Sequence, residues 1–335
     1  MKAIYLNSAR HVIYGDATTP KPKKGEALIK VKACALNHVD LHLAKGVLDI
    51  PLPHIPGSDV AGIIVKINGK STLKAGQDVV VNPAIPCGKC PRCRKGLSCE
   101  IVIIFGYKTP GGYAEYVTAP IEQLYPKPRN LSWAEAAAFP LTFLTAYHML
   151  FGRAKLQKGE MIFIWGASGG LGSAAIQIAR YLGAKIIAAA RSDSDAQKIR
   201  SMGAHYVVNY TKHDVEKVVN KLTNNEKVDV VFESVGVKTW STTLAILRPH
   251  GRVVIAGTTS GAVASQDLSD VYYYQHTILG SRMGTKEEFE QVLQLVNAGK
   301  LKPTIDRVFP LKEAKNALAR LEESKQIGKI ILEVS

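Results

Sequence analysis

The later part of the chain, from about Ser132, alternates short apolar runs with amphipathic segments. The runs have the length of buried strands, and the segments between them carry apolar residues at helical spacing. The predicted strands are Met161–Trp165, Lys185–Ala189, Tyr206–Val208, Val228–Glu233, Arg252–Ala256 and Ile278–Gly280. The predicted helices include Ala196–Met202, Val215–Leu222, Thr239–Leu247 and, beyond the last strand, Glu287–Ala298. This alternation predicts an α/β fold with a doubly wound parallel sheet, which binds ligands at the carboxyl ends of its strands.

The earlier part of the chain has a different pattern, in which short β-type runs are separated by Gly and Pro. Ala27–Ala33, Asp59–Val65 and Asp78–Val81 are runs of this kind and predict a compact β-rich domain. We expect that domain to span residues 1–122 and the sheet domain to span 123–283. Residues 284–335 are expected to return to the first domain and complete it.

The composition narrows the choice of partners. The chain has 335 residues, enough for two domains, and a formal charge of +15. Its basic residues are scattered apart from Lys21–Lys24 and Lys89–Lys95, and no aromatic residues interleave with them, so a nucleic-acid surface is not favoured. The charge fits a solvated surface with affinity for an anionic cofactor. No apolar run has transmembrane length and Met1–Arg10 has no signal-peptide pattern, which favours a cytoplasmic protein without a membrane partner.

A glycine-rich turn joins the first predicted strand of the sheet to the helix that follows it. The turn continues from Gly166 through Ala167, Ser168, Gly169, Gly170, Leu171 and Gly172. Glycines let the backbone approach a pyrophosphate, and a helix N-terminus offers free N–H groups to it. Ala167 departs from the first glycine of G-x-G-x-x-G but is small enough to keep the turn. The motif therefore predicts a dinucleotide site in a Rossmann domain.

The end of the second strand indicates which dinucleotide is bound. A site for NAD usually has an acidic residue there, which bonds the ribose hydroxyls. This chain has Ala190, Arg191 and Ser192 instead. Arg191 can pair with a 2′-phosphate, so NADP(H) is preferred over NAD(H). The alternative is that Arg191 is only a solvated side chain.

Four cysteines follow the spacing C-x2-C-x2-C-x5-C: Cys87, Cys90, Cys93 and Cys99. In a chain without secretory features this pattern favours a closed, structural zinc site with one ion per chain. Lys89 and its basic neighbours would offset the charge of four thiolates. Free thiols or a disulfide pair remain as alternatives.

Taken together, these features resemble the zinc-containing alcohol dehydrogenase and quinone oxidoreductase superfamily of medium-chain reductases. The resemblance covers essentially the whole chain and implies that the β-rich domain is a GroES-like catalytic domain. It rests on the cysteine lobe, the glycine turn and three further segments: Asn37–His42, Pro56–Gly62 and Gly111–Tyr116. The lobe is shorter than is usual in the family, with five residues between its last two cysteines.

The resemblance also locates where a second, catalytic zinc would be bound. The family's cysteine, histidine and later ligand positions correspond here to Asn37, Ser58 and Leu141, and the glutamate that follows the histidine corresponds to Asp59. Asn, Ser and Leu are poor zinc ligands, since zinc prefers thiolate and imidazole. Val39 replaces the family's proton-relay hydroxyl, while His42 stands at the relay histidine. We therefore expect a member that lacks catalytic zinc.

Hydride transfer without a Lewis acid favours an electrophile already stabilised by conjugation. The expected activity is NADPH-dependent reduction of a quinone or an α,β-unsaturated carbonyl. Candidate catalytic residues are Asn37 and Ser58 as hydrogen-bond donors and His38 or His42 as proton sources, with a purely structural role as the alternative. The resemblance adds Thr145 near the nicotinamide and Tyr210 at the adenosine, and topology adds Gly236 and Gly257.

Two other functions remain open at this point. One is an alcohol dehydrogenase with a non-standard metal site, and the other is an NADPH-binding protein with little turnover. The family commonly forms dimers or tetramers, so a homo-oligomer is expected.

Overall fold

The computed structural model of the chain describes residues 1–95 and 99–335. Its strands, in chain order, are β1 Lys2–Leu6, β2 Val12–Asp16, β3 Glu26–Ala35, β4 Asp59–Asn68, β5 Asp78–Val81, β6 Ala84–Ile85, β7 Ile103–Ile104, β8 Tyr116–Pro120, β9 Leu124–Pro126, β10 Met161–Ile164, β11 Lys185–Ala190, β12 Tyr206–Asn209, β13 Val228–Glu233, β14 Leu247–Ile255, β15 Thr277–Gly280, β16 Ile305–Pro310 and β17 Lys329–Glu333. Its α-helices are α1 His38–Ala44, α2 Pro91–Arg94, α3 Trp133–Ala138, α4 Pro140–Tyr147, α5 Gly170–Tyr181, α6 Asp193–Ser201, α7 Val215–Leu222, α8 Trp240–Ala245, α9 Leu268–Tyr273, α10 Lys286–Asn297 and α11 Ala314–Glu322.

The chain divides into two units: Met1–Leu141 with Thr285–Ser335, and Thr142–Gly284. The boundary between the two units lies after Leu141, whereas the change in sequence pattern led us to expect it after residue 122. The reason is that β9 pairs with β5 and that α3 packs on β3 and β4. These elements follow the last clear β-type run, so the sequence pattern assigned them to the sheet domain.

The first unit is built on a sheet with the strand order β16-β17-β3-β4-β5-β9, in which β8 also pairs with β3. Apolar residues alternate along β3, and its buried side chains join one core with those of α11. In the antiparallel pairing of β17 with β3, Ile331 lies opposite Ala35. The pairing of β3 with β4 places Asp59 opposite Ala35 as well. The start of β17, the end of β3 and the start of β4 therefore meet at one edge of the sheet.

The second unit is a six-stranded parallel sheet with the order β12-β11-β10-β13-β14-β15. This is the doubly wound arrangement, with its switch point between β10 and β13. Its central strands are almost fully buried, as expected for a parallel sheet covered on both faces. The fold class predicted from the sequence is confirmed.

Each predicted strand of the second unit corresponds to one of its strands, and the main difference concerns β14. It begins at Leu247, before the predicted Arg252, because Leu247 pairs with Val228 ahead of an irregularity in the register. The preceding helix consequently ends at Ala245. None of the helices in the described residues is long and apolar enough to cross a membrane.

Candidate active site and metal centre

The glycine turn lies between β10 and α5 in the second unit. Gly166 adopts a φ of 61° and is the residue of the turn with left-handed backbone. Ala167 follows it, is buried and does not have a positive φ, so an alanine is tolerated there. A Cβ on Gly172 would lie 2.2 Å from the carbonyl oxygen of Gly166, so only glycine lets α5 pack this closely on the turn. Gly169 is the N-cap of α5 and has no side chain to bond the first N–H groups of the helix. The remaining predicted residues, Ser168, Gly170 and Leu171, are partly exposed around this helix start, which can hold a pyrophosphate.

The end of β11 gathers the residues predicted to select the cofactor. Arg191 is exposed and follows the strand directly, and Ser192 caps α6 by accepting a hydrogen bond from the N–H of Asp195 at 3.1 Å. Tyr210 follows the neighbouring strand β12, and its aromatic ring lies edge-on to that of Trp165. Partial burial raises the pKa of the Tyr210 hydroxyl. The charge of Arg191 lowers that pKa and the charge of Asp195 raises it.

Asp193 is a carboxylate near this site that the sequence analysis did not weigh. Asn209 Nδ2 donates to its Oδ1 at 2.7 Å, and Lys212 Nζ lies 2.6 Å from its Oδ2. The lysine ammonium is the first cause of the lowered pKa of Asp193. Both carboxylate oxygens are therefore engaged, and a basic residue offsets the charge beside Arg191.

The other predicted cofactor residues lie along the same unit. Thr145 is buried on α4, where its hydroxyl lies 3.8 Å from Met283 Sδ. Gly236 and Gly257 both have positive φ and follow β13 and β14. The turn at Gly236 is fixed by Glu233, a fully buried residue that the sequence analysis missed: its carboxylate accepts hydrogen bonds from the N–H groups of Val235 and Gly236 and from the hydroxyls of Thr239 and Thr243. An ionisable residue directly after the apolar run Val230–Phe232 was the available signal.

The four cysteines of the lobe come together in the first unit. Their sulfur atoms lie within 4.8 Å of one another, and Cys87 Sγ is 4.0 Å from Cys93 Sγ. Tetrahedral zinc with Zn–S bonds of ~2.3 Å would separate its sulfurs by about 3.8 Å. None of the chain's five cysteines, all within the described residues, forms a disulfide. Residues 96–98, between the last two ligands, lie outside the described residues, so the shape of the shortened lobe there stays a prediction.

Hydrogen bonds from the backbone to sulfur make the lobe suitable for thiolates. The N–H of Cys93 donates to Cys90 Sγ at 3.4 Å, and the N–H groups of Cys87 and Ile101 donate to Cys99 Sγ at 3.3 Å each. Such N–H donors, foremost those of Glu100 and Cys93, lower the pKa of Cys90 to about 6, whereas burial and the neighbouring cysteines raise the pKa of Cys93 to about 12. Basic side chains, including Arg94 and Lys95, are exposed around the cluster. The four residues therefore fit a structural zinc ion.

Asn37, Asp59 and Leu141, three of the positions at the catalytic zinc of the resembling family, take part in one hydrogen-bond network here. Asn37, the N-cap of α1, donates from Nδ2 to Asp59 Oδ2 at 2.9 Å. Lys329 Nζ donates to Asn37 Oδ1 at 2.6 Å and to Asp59 Oδ2 at 2.9 Å. The N–H of Leu141 donates to Asp59 Oδ1 at 2.7 Å. The polar groups at these positions thus bond to one another and to a lysine, and Leu141 offers no side-chain ligand.

This donor set does not fit a zinc ion. The amide oxygen and both carboxylate oxygens already accept hydrogen bonds, and the thiolates and imidazoles that zinc prefers are missing. Cys34, the nearest cysteine in sequence, is fully buried in the hydrophobic core. Within the described residues, the lobe is the one place where three or more His, Cys, Asp or Glu side chains cluster closely enough to hold a metal.

Asp40 joins the network to the hydrophobic core. Its Oδ2 accepts hydrogen bonds from the Asn37 N–H at 2.8 Å and from the Tyr113 hydroxyl at 2.7 Å, while Oδ1 has no partner within the described residues. Burial raises the pKa of Asp40 to about 6, against the opposing effect of these two donors.

The remaining predicted catalytic residues differ in what the structure allows them to do. Burial, and then the charges of His42 and Lys329, lower the pKa of His38 to about 4, so its ring is neutral at neutral pH and can donate a hydrogen bond but is not an imidazolium acid. His42 lies half-buried in the last turn of α1. Ser58 is fully buried, and its hydroxyl has no partner within the described residues. Neither Ser58 nor His42 belongs to the hydrogen-bond network described above.

A doubly wound sheet with a glycine turn, together with a β-rich unit carrying a four-cysteine lobe, defines a dinucleotide-dependent oxidoreductase. Comparison with known families agrees: residues 23–129 match the alcohol dehydrogenase GroES-like domain and residues 170–298 match the zinc-binding dehydrogenase family. The chain belongs to the medium-chain dehydrogenase/reductase superfamily.

Individual relatives span several activities. The quinone oxidoreductase of Mus musculus is 33% identical, with 96% of this chain and 92% of that protein covered. A crystal structure of an NAD-dependent alcohol dehydrogenase is 37% identical, with both chains fully covered and a TM-score of 0.96. A 2-octenoyl-CoA carboxylase reductase in complex with NADP and 2-octenoyl-CoA is 28% identical, with 99% of this chain and 87% of that one covered and a TM-score of 0.92. The expectation of an oxidoreductase is therefore confirmed, at the level of the superfamily.

Proposed function

We propose that this protein is an NADPH-dependent reductase of quinones or α,β-unsaturated carbonyls that transfers hydride without a catalytic zinc. The observation that carries the proposal is the network of Asn37, Asp59 and Lys329 at the positions that hold zinc in the family's alcohol dehydrogenases. Each of these groups is buried and bonded to the others. A quinone oxidoreductase and a 2-octenoyl-CoA carboxylase reductase among the similar proteins support the substrate class.

Bound NADPH would supply a hydride, so that a C–H bond of the nicotinamide breaks as a C–H bond on the substrate forms. Negative charge would then develop on the substrate oxygen, which would take a proton from solvent to complete the reduction. Conjugation in a quinone or an enone spreads that charge, so hydrogen-bond donors are sufficient to stabilise it. We assign the first donor role to Asn37, because one of its two Nδ2 hydrogens bonds Asp59 and the other has no acceptor within the described residues. His38, as a neutral imidazole, is assigned a hydrogen-bonding role and not that of an imidazolium acid.

NADPH is proposed as the cofactor because Arg191 is exposed and follows β11 directly, while the neighbouring carboxylate of Asp193 is bonded to Lys212 and Asn209. A guanidinium in such a place can pair bidentately with a 2′-phosphate. The similarity to a 2-octenoyl-CoA carboxylase reductase whose structure is a complex with NADP supports the same choice.

The test is a panel of quinones, enones and simple alcohols assayed with NADPH, NADH and the oxidised cofactors, each before and after treatment with a zinc chelator that leaves the protein folded. We expect NADPH oxidation with quinones or enones that survives chelation. Alcohol oxidation that is lost on chelation and restored by Zn²⁺ would make the protein a metal-dependent alcohol dehydrogenase. Tight NADPH binding without turnover of any compound would leave only a binding function.

A further inference from the structure

Lys329 is the buried charge that the proposed mechanism has not yet used. Its side chain is 4% exposed, and its two hydrogen-bond partners are Asn37 and Asp59. An ammonium has three donors, so one hydrogen of Lys329 and one of Asn37 lack an acceptor within the described residues. The desolvation cost of burying an ion pair is comparable to what the attraction between its charges returns, so stability alone is a weak reason for the pair.

The fold places Lys329 here through backbone geometry. Gly328 has a φ of 89°, and a Cβ on it would lie 2.1 Å from the Thr304 carbonyl oxygen, so a side chain is excluded at this position. The following N–H, of Lys329, donates to that carbonyl at 2.8 Å. Pairing of β17 with β3 then carries the lysine to the level of Asn37. Lys329 is therefore held in place by hydrogen bonds of its backbone and of its side chain.

The two contacts of Lys329 have a definite effect on the Asn37 amide. A cation 2.6 Å from Oδ1 and a carboxylate 2.9 Å from Nδ2 allow one orientation of the amide and oppose the flipped one. Donation to the carbonyl also polarises the amide, which strengthens its N–H groups as donors. The free Nδ2 hydrogen of Asn37 is thus oriented and made more acidic.

We propose that Lys329 and Asp59 are positioning residues that fix and polarise the Asn37 amide, so that its free N–H stabilises the oxyanion formed by hydride transfer. This rests on the proposed function, in which Asn37 contacts the substrate oxygen. Asn37 is the catalytic residue, and the buried ion pair acts through it.

The test compares four proteins in the reductase assay: wild type, the neutral pair Lys329→Met/Asp59→Asn, the control pair Lys2→Met/Asp16→Asn and the single variant Lys329→Arg. The control removes an ion pair of the same unit and the same 2.9 Å length that is exposed. Removing both charges avoids a lone buried charge, and circular dichroism verifies folding. In the neutral pair, the amide introduced at position 59 would donate toward Asn37 and favour the flipped amide. We also expect Lys329→Arg to keep more activity than the neutral pair, because it preserves the charge.

We expect kcat of the neutral pair to fall about 100-fold, the typical effect of losing one oxyanion donor, with the Kd for NADPH unchanged and the control like wild type. A kcat within about threefold of wild type in the folded neutral pair would overturn the proposal. So would a loss of NADPH affinity at unchanged kcat, because Lys329 would then act on the cofactor.

A second readout separates this proposal from the function itself. In the presence of NADP⁺, p-nitrophenol serves as an oxyanion probe, and its absorbance reports the fraction bound as phenolate. We expect the ratio of bound phenolate to bound phenol to be about tenfold higher in wild type than in the neutral pair. This holds even if no substrate of the panel is reduced. Equal phenolate fractions in both proteins, or no bound phenolate in wild type, would refute the role of the ion pair.

Discussion

At the residue scale, Arg191 is the side chain that separates the two nicotinamide cofactors in this account. It is exposed after β11, and the acidic group nearest to it in sequence, Asp193, is paired with Lys212. Because an exposed ion pair contributes little by itself, Arg191 and not Lys212 is expected to dominate the selection.

We predict that Arg191→Ala raises KM for NADPH roughly 10-fold or more, since a charge-assisted contact to phosphate is worth about 1.5–3 kcal/mol. KM for NADH should stay nearly unchanged, because NADH lacks the 2′-phosphate. Steady-state kinetics with NADPH and with NADH measures the ratio of the two KM values in wild type and in Arg191→Ala. Lys198→Ala, at an exposed position later on α6, is the control. An unchanged preference for NADPH in Arg191→Ala would remove the assignment.

A second prediction at this scale concerns Asp40, whose pKa burial raises from 3.8 to about 6. The folded protein then binds the proton more tightly than the unfolded chain does. Below about pH 4 the carboxyl is neutral in both states, and as pH rises to 6 this stabilising contribution is lost. A shift of two units corresponds to about 2–3 kcal/mol as an upper bound.

Asp40→Asn should therefore remove a part of the pH dependence of stability. Its amide oxygen can accept the Asn37 and Tyr113 hydrogen bonds, while the unpaired amide nitrogen costs the same at every pH. Urea unfolding at several values between pH 4 and pH 7 measures the effect. We expect the variant to gain stability relative to wild type as pH rises through this range. A constant difference between the two proteins would contradict the assigned shift.

At the scale of the element, the join between β10 and α5 depends on one glycine. Backbone atoms of Gly166 and Ala167 lie 2.2 and 2.6 Å from the Cβ that Gly172→Ala would add, and backbone cannot move aside as a flexible side chain can. We predict a loss of about 1–3 kcal/mol in the free energy of unfolding, together with weaker NADPH binding as the helix start moves.

Gly280→Ala is the matched control for this substitution. Gly280 lies in β15 of the same unit, its φ is not positive, and an added Cβ meets no atom within 4 Å. Thermal unfolding and NADPH titration of both variants measure the two effects. Equal behaviour of the two variants would show that the turn tolerates a side chain.

Elements were predictable where burial leaves a simple pattern. β10, β11 and β13 are almost fully buried parallel strands, and their apolar runs mark them in the sequence, whereas the edge strand β15 is largely exposed. β9 and α3 carry no such pattern, because their membership of the first unit depends on pairing with β5 and on packing against β3 and β4. That information is tertiary and has no local signal.

At the scale of the whole molecule, the sites also divide into those that a local sequence motif marks and those that only tertiary pairing assembles. The cysteine lobe and the glycine turn are short local motifs, so each can be recognised in the sequence without knowledge of the tertiary structure. Lys329 was missed because 292 positions separate it from Asn37, and only the pairing of β17 with β3 brings them together. A lone lysine beside the apolar residues Ile330, Ile331 and Leu332 was the signal that could have identified it.

The measurement that tests the central claim most directly is the zinc content per chain of purified, undialysed protein, determined by elemental analysis alongside Cys99→Ser. The account predicts about one zinc ion in wild type, lost in the cysteine variant, because the lobe fits zinc and the Asn37–Asp59–Lys329 network does not. About two ions in wild type, with one retained in Cys99→Ser, would mean that the network binds metal after all and would contradict hydride transfer without zinc.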